Sequence, residues 1–443
     1  MKPLLKTKFN SEFARNSLTI FSGNVIAQAI PFMAEPVLAR LYDPADFAVL
    51  AVYLSVANLF SIIATARYEL AIMLPKEDRK AANVLGLSVL ISFAVSALSF
   101  LIILLFNAKI CKILNNQDVS SYLYLVPLSV LSVAWYQIFN YWNSRKKRFR
   151  NVMFSKTTQS VSTVGFNLSL AIKSLGLVLG QFLGYLFGSF VLIFAFWRKD
   201  KDKVKMITKK EMKEVAAEYQ DFPKINSLHA FCDVMKQSGE VFLLSFFYLK
   251  DKVGLHSRTL RLLFAPSSMI GSAVGQVFYQ KASETYQNGG DLRALLLKVL
   301  KIMALIALPV FATIAVFGDD LFAWFLGEPY RMAGYYGRFL APWLFFNFIT
   351  MPVSQIPLIV SKQKTAFFLS LCGHTLYLSA VIIGGLNKNI LLGFTLLSIF
   401  SSLFRGLSEY RKVKNRSHYE KTFIDRIQLC TYLQLFSFSE TLL

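Results

Sequence analysis

The sequence predicts an all-α integral membrane protein: twelve transmembrane helices in two parallel six-helix bundles, with both termini in the cytoplasm. Three observations lead there. Of the 443 residues, 55% are hydrophobic and only 17% are charged, where a water-soluble surface needs about a quarter. Apolar runs near the roughly 20 residues needed to cross about 30 Å of hydrocarbon recur twelve times along the chain. The net charge of +22 is distributed with a marked sidedness once those runs are drawn.

The runs fall at 16–38, 47–68, 82–107, 121–142, 152–172, 175–197, 226–249, 254–279, 295–317, 334–358, 365–385 and 388–408. The first follows a basic start (Lys2, Lys6, Lys8, Arg15) and continues past the length of a signal-peptide core without a small-residue cleavage pattern, so it is expected to stay in the protein. The fifth and sixth runs are parted only by Lys173-Ser174, and the last two by Asn387-Lys388-Asn389. On this plan 36 of the 48 Lys+Arg lie on the side of the N-terminus and 9 on the other, as the positive-inside rule requires. Lys236, Arg258 and Arg261 fall inside runs. The same charge makes a poor nucleic-acid footprint, because it is split among seven short loops. Cys111, Cys232, Cys372 and Cys430 have no metal-ligand spacing, and there is no Walker A motif. No cofactor is expected; a proton or sodium gradient remains as an energy source.

The longest polar stretch follows six runs. It sets the expected organisation: a bundle at 1–197, a basic linker at 198–224, a second bundle at 225–410 and a cytoplasmic tail at 411–443. Thr208-Lys209-Lys210-Glu211 has capping-box spacing and should open a short amphipathic helix on the cytoplasmic surface, ended by Pro223. The halves resemble each other. Glu12-Phe13 with Asn16-Ser17-Leu18 corresponds to Asp221-Phe222 with Asn226-Ser227-Leu228, and Trp197-Arg198 to Tyr410-Arg411. An even number of runs per half makes the repeats parallel, and a cavity between two such bundles is where carriers hold substrate. Gly176, Gly180, Gly184 and Gly188 form a smooth strip for close helix packing, and Gly271 and Gly275 repeat the spacing.

Three segments carry a resemblance: Pro36-Val37-Leu38-Ala39-Arg40-Leu41-Tyr42-Asp43-Pro44, Arg67-Tyr68-Glu69-Leu70-Ala71-Ile72-Met73-Leu74-Pro75, and Val253-Gly254-Leu255 with Arg261, Pro266 and Val274-Gly275-Gln276-Val277-Phe278. In their order and spacing the chain resembles the polysaccharide (O-antigen type) flippases of the multidrug/oligosaccharidyl-lipid/polysaccharide exporter superfamily, up to about Lys414. The resemblance implies movement of an undecaprenyl-pyrophosphate-linked oligosaccharide from the cytoplasmic to the outer leaflet of the inner membrane. It also implies a place in lipopolysaccharide or other surface polysaccharide synthesis, beside a polysaccharide polymerase and glycosyltransferases. The tail departs from the pattern: Phe423–Phe438 is apolar but too short to span.

An ionisable group in hydrocarbon costs several kcal/mol unless it meets a partner or a polar cavity, so each one is a functional candidate. Asp233, Lys236 and Glu240 share a helical face at i, i+3 and i+7, with His229 one turn away. Arg258 and Arg261 share another, and Glu35 lies between Pro31 and Pro36. Arg258, Arg261 and Lys236 are the candidate pyrophosphate ligands, because a guanidinium fork makes bidentate bonds to phosphate oxygens. Glu35, Asp233 and Glu240 are the candidate ion-coupling carboxylates; the alternative is that Lys236 pairs with Asp233 or Glu240 to hold its helix in place. Arg67 and Glu69, near the inner boundary, are candidates for a gate or a way in for the head group, against simple snorkelling. The cluster Arg145 to Arg150 is expected to meet anionic membrane lipids. Two rival readings stand beside the flippase one. A drug/cation antiporter of the same superfamily should favour an acidic cavity. A membrane polymerase would need an ordered outer site, for which the loop Gly318–Ala333, with Asp319, Asp320, Glu328 and Arg331, is the one candidate.

Overall fold

The computed structural model describes residues 23–354, 356 and 363–400. The opening residues of the first repeat, the Tyr410-Arg411 exit and the 411–443 tail lie outside the described residues. Among those described the secondary structure is helical, with no strand. In order, the helices are α1 (23–41), α2 (Pro44–Ser61), α3 (Tyr68–Ala71), α4 (Asp78–Ile113), α5 (Ser120–Leu123), α6 (Val126–Arg145), α7 (Phe149–Ser169) and α8 (Lys173–Asp200). There follow α9 (Lys209–Glu218), α10 (Ser227–Phe247), α11 (Lys250–Gln287), α12 (Leu292–Leu326), α13 (Arg331–Thr350), α14 (Gln363–Leu386) and α15 (Ile390–Phe400).

Within the described residues each expected run overlaps a helix. By length and composition five described helices can cross a membrane, six if α5 and α6, bent by 56°, make one span. The rest are shorter or more polar. α7, for example, carries Ser155, Thr157, Thr158, Gln159, Ser160 and Thr163. α4 explains how polarity and membrane residence coexist: it is polar inside and apolar outside. Leu98, Leu101, Leu104 and Leu105 are exposed, while Ser88, Ser92, Ser96 and Ser99 are buried and bond to backbone carbonyls, Ser96 Oγ donating to Pro127 O at 2.7 Å. In hydrocarbon only packing and internal hydrogen bonds hold helices together, so the small polar face turns inward.

The chain divides into two compact units, Met1–Ser238 and Gly239–Leu443. In the first, the glycine strip of α8 lies against α7. A Cβ on Gly180 would come 2.8 Å from Thr163 O, and one on Gly176 2.8 Å from the carbonyl carbon of Leu170. Close packing is thus what the strip provides. One end of this unit is organised around Trp142, Phe196, Ile72 and Val215. Thr208 caps α9 as its spacing predicted, accepting a hydrogen bond from Glu211 N at 3.3 Å. The Glu211 carboxylate instead accepts from Asn83 at 2.6 Å and pairs with Arg79, docking α9 on the start of α4. α9 ends at Glu218, ahead of Pro223, which sits in a π-turn (Phe222–Asn226) feeding α10.

Two expectations need correcting. The run 47–68 is not one helix: α2 stops at Ser61 and the chain passes through i→i−3 turns, with Ala66 (φ 49) and Arg67 (φ 60) left-handed, before α3. Apolar composition continues across the break, so hydropathy cannot see it. The expected outer loop from Gly318 is largely helix. α12 runs to Leu326, a 3-10 turn covers Glu328–Tyr330, and α13 starts at Arg331. Gly334 permits this, since a Cβ there would lie 2.6 Å from Gly318 C.

In the second unit, α11, α12 and α13 each contain an internal proline (Pro266, Pro309 and Pro342). Gly271 faces Met351 across a close contact. α14 and α15 form a tight hairpin, with Lys388 at φ 54 and Gly384 so close to Gly393 that a Cβ would lie 2.7 Å from its Cα.

Candidate functional site

The break between α2 and α3 buries the first pair of candidates. Glu69 is 1% exposed and accepts a hydrogen bond from Thr65, while Arg67 Nη1 lies 3.7 Å from Glu69 Oε1. Sequence proximity alone would put Arg67 and Glu69 on different sides of a helix; the left-handed turn at Ala66 and Arg67 is what brings the charges together. Against the same segment pack Ala230 and Val234 of α10, through Ile62. Asp233 and Lys236, on the same part of α10, are half-buried. Glu35 on α1 is buried. The side chain of His229 lies outside the described residues.

Glu240, on the stretch of α10 that belongs to the second unit, sits in a polar knot inside an aromatic cage. Its Oε1 lies 2.8 Å from His256 Nε2 on α11 and accepts a hydrogen bond from Tyr377 Oη on α14 at 2.5 Å. His256 stacks on Phe394 of α15, centroids 4.8 Å apart and planes at 20°, and Phe394 meets Tyr336 of α13 edge-on at 5.4 Å. Trp343 closes over Tyr377 at 5.6 Å. All three polar groups are buried. Neither His256 nor Tyr377 was singled out from the sequence. A lone His beside a pair of arginines, and one Tyr among nineteen, give no spacing signal until α14 folds against α10.

The arginines of α11 differ. Arg258 is 1% exposed, and the adjacent Thr259 ties α11 to α13 by donating to Ala333 O at 2.7 Å. Arg261, one turn on, is half-buried. Chemically they offer two guanidinium forks on one helical face, Arg261 the more accessible.

The remaining charges are mostly structural. Arg145 turns inward and donates to Pro75 O (2.6 Å), Ile72 O (3.3 Å) and Lys76 O (3.2 Å), holding carbonyls of the segment after α3. Arg148 and Trp142 Nε1 converge on the buried Asp200 carboxylate, each at 3.0 Å. Within the expected lipid-facing cluster, two arginines are therefore committed to the protein interior. At the other rival site, Arg331 pairs with Glu328 (2.6 Å) and Asp320 (2.5 Å), and Arg338 with Asp319 (3.2 Å). The hydrogen bond from Arg331 holds the Glu328 carboxyl below the usual carboxylate range.

Such a fold, apolar outside with buried ionisable knots within, defines a multi-pass membrane protein. The family model of "Polysaccharide biosynthesis protein" matches residues 37–333, and the chain belongs to that family. Its fold is similar to those of solved transporters of the MOP superfamily and of a solved flippase. A lipid II flippase, MurJ, in an inward closed conformation is 14% identical, covering 96% of this chain and 98% of its own, with a TM-score of 0.66. A multidrug resistance MATE family transporter of the MOP superfamily, inward-facing, is 13% identical over 89% of this chain and 96% of its own, with a TM-score of 0.61. An outward-facing MATE transporter gives 14%, 90%, 96% and 0.56. At these identities the likeness is one of fold. No curated protein matches the chain.

Proposed function

We propose that the protein is a flippase, not an enzyme. On this reading it carries an undecaprenyl-pyrophosphate-linked oligosaccharide from the cytoplasmic to the outer leaflet of the inner membrane by alternating access, during surface polysaccharide synthesis of the O-antigen type. The observation that carries the reading is a polysaccharide-biosynthesis chain built on a transporter fold. On this reading twelve helices span in two six-helix bundles with both termini inside, and a polymerase and glycosyltransferases work beside it.

Arg258, Arg261 and Lys236 take the pyrophosphate, whose oxygens suit guanidinium forks. Arg261 makes the first contact, because Arg258 is buried and becomes reachable only when α11 moves away from α13. Glu35, Asp233 and Glu240 couple the cycle to an ion gradient; Arg67 and Glu69 gate the path of the head group. Substitution of Arg261 by Ala, assayed in proteoliposomes with a fluorescent undecaprenyl-pyrophosphate-linked saccharide, should cut leaflet transfer at least about tenfold. One charge-assisted bond is worth about 1.5–3 kcal/mol. Unchanged transfer would remove the arginines from the binding site, and cation-drug efflux in place of lipid transfer would favour the antiporter.

A further inference from the structure

We infer that Glu240, His256 and Tyr377 form a proton-binding site within the second unit, at which His256 Nδ1 takes up and releases the transported proton. This rests on the transport reading above and names the ion that it leaves open.

The hydrogen-bond geometry carries the inference. Two groups converge on one carboxylate oxygen, Tyr377 Oη at 2.5 Å and His256 Nε2 at 2.8 Å. The tyrosine hydroxyl donates, so the second contact needs a proton between nitrogen and oxygen. In the state where Nε2 carries the only ring proton, Nδ1 has a bare lone pair. That Nδ1 is buried and has no hydrogen-bond partner among the described residues, while the ring is held by Phe394. An orphaned polar atom in a protein interior costs about 1–3 kcal/mol, and the buried Nδ1 is such an atom among the described residues.

The balance is simple. The empty site, carboxylate plus neutral imidazole, has a net charge of one negative. A proton arriving from water on one side forms an N–H bond at Nδ1, giving imidazolium beside carboxylate and no net charge. The tautomer with the carboxyl protonated and Nδ1–H present has the same composition. Release to the other side breaks that N–H bond, and nothing else changes hands. Burial favours the neutral, loaded form over an isolated negative charge, so crossing the membrane loaded is the easier half of the cycle. Imidazole is the side chain suited to gain and lose charge near neutral pH.

The surrounding elements bring further titratable groups. α14 brings Tyr377 and, one turn away, His374. α13 brings Tyr336, with Tyr330 just before it, and α10 ends near Tyr248. α11 itself carries Lys252 one turn before His256 and Arg258 two residues after it, with Arg261 beyond, and α10 carries Lys236 one turn before Glu240, while α15 offers the Phe394 ring and no ionisable side chain over Ile390–Phe400.

The test uses full-length protein in proteoliposomes with the fluorescent undecaprenyl-pyrophosphate saccharide. One proton per cycle makes a pH difference of one unit worth about tenfold in the leaflet distribution of the probe. Wild type should show that shift without sodium. His256→Gln, which keeps a donor toward Glu240 but cannot be protonated, should show no shift of the distribution with pH. A distribution that follows sodium and ignores pH, or the full shift retained in H256Q, overturns the site. If wild type moves no lipid under any gradient, the transport reading itself fails. The site is then judged by nitrogen NMR of ¹⁵N-histidine-labelled protein, with His256 identified by the resonance that Tyr377→Phe displaces. Protonation of Nδ1 on acidification supports it; a single unchanging state throughout the titration overturns it.

Discussion

The glycine strip of α8 allows a paired test in which one chemical change should have opposite effects at two places. Gly176 and Gly165 lie on neighbouring helices of the same unit. A methyl group at Gly176 would overlap the Leu170 carbonyl, its Cβ only 2.8 Å from the carbonyl carbon, whereas at Gly165 it meets nothing within 4 Å. Carbon atoms pack best at about 3.5–4.0 Å, so the Gly176→Ala chain must move backbone by roughly 1 Å. Replacing Gly by Ala also favours a helix by about 1 kcal/mol, and that gain is common to both variants. What separates them is overpacking, about 1–3 kcal/mol. At about 2–4 °C per kcal/mol for a body of this size, the two should differ by roughly 2–12 °C in Tm, measured by dye-monitored melting in one detergent. Gly165→Ala should match or exceed wild type. Coincident melting of the two variants would refute the account of α7–α8 packing.

Two further expectations follow from the charges. Asp200→Ala leaves Arg148 without its buried carboxylate and Trp142 Nε1 without its acceptor. The loss should be about 2–4 kcal/mol, allowing for the partial exposure of Arg148, read as a lower Tm with altered tryptophan fluorescence; wild-type stability in D200A would contradict it. Glu328 has a lowered folded pKa because Arg331 donates to it. Its contribution is therefore present above the unfolded value of about 4.3 and lost as pH falls through the folded one. The Tm difference between wild type and Glu328→Gln should be small and salt-sensitive, constant from about pH 5 to 8, and vanish in more acidic buffer. A difference growing toward low pH would reverse the assignment.

Much of the fold was legible because hydropathy and helix caps are local. Within the described residues each apolar run carries helix, the run 47–68 only up to Ser61 and again from Tyr68, and Thr208 capped α9 as its spacing implied. The break after Ser61 was not legible, because Ile62, Ile63 and Ala66 satisfy any apolar pattern whether straight or bent. The site was half legible. Glu240 stood out as a carboxylate in an apolar helix, sharing a face with Asp233 and Lys236. The hydrogen-bonded partners in the structure, His256 and Tyr377, come from α11 and α14, the second more than a hundred residues away. Sequence spacing cannot show a pairing made by tertiary packing. Arg258 and Arg261 were found together, but not that one is buried and the other half-exposed.

The central claim is leaflet transfer itself, and purified protein in liposomes measures it directly. With an undecaprenyl-pyrophosphate-linked oligosaccharide labelled for quenching from outside, the account predicts that the probe reaches the protected leaflet only in vesicles containing the protein, and faster under an imposed pH difference. Transfer no faster than in protein-free vesicles, with a probe confirmed intact, would contradict it.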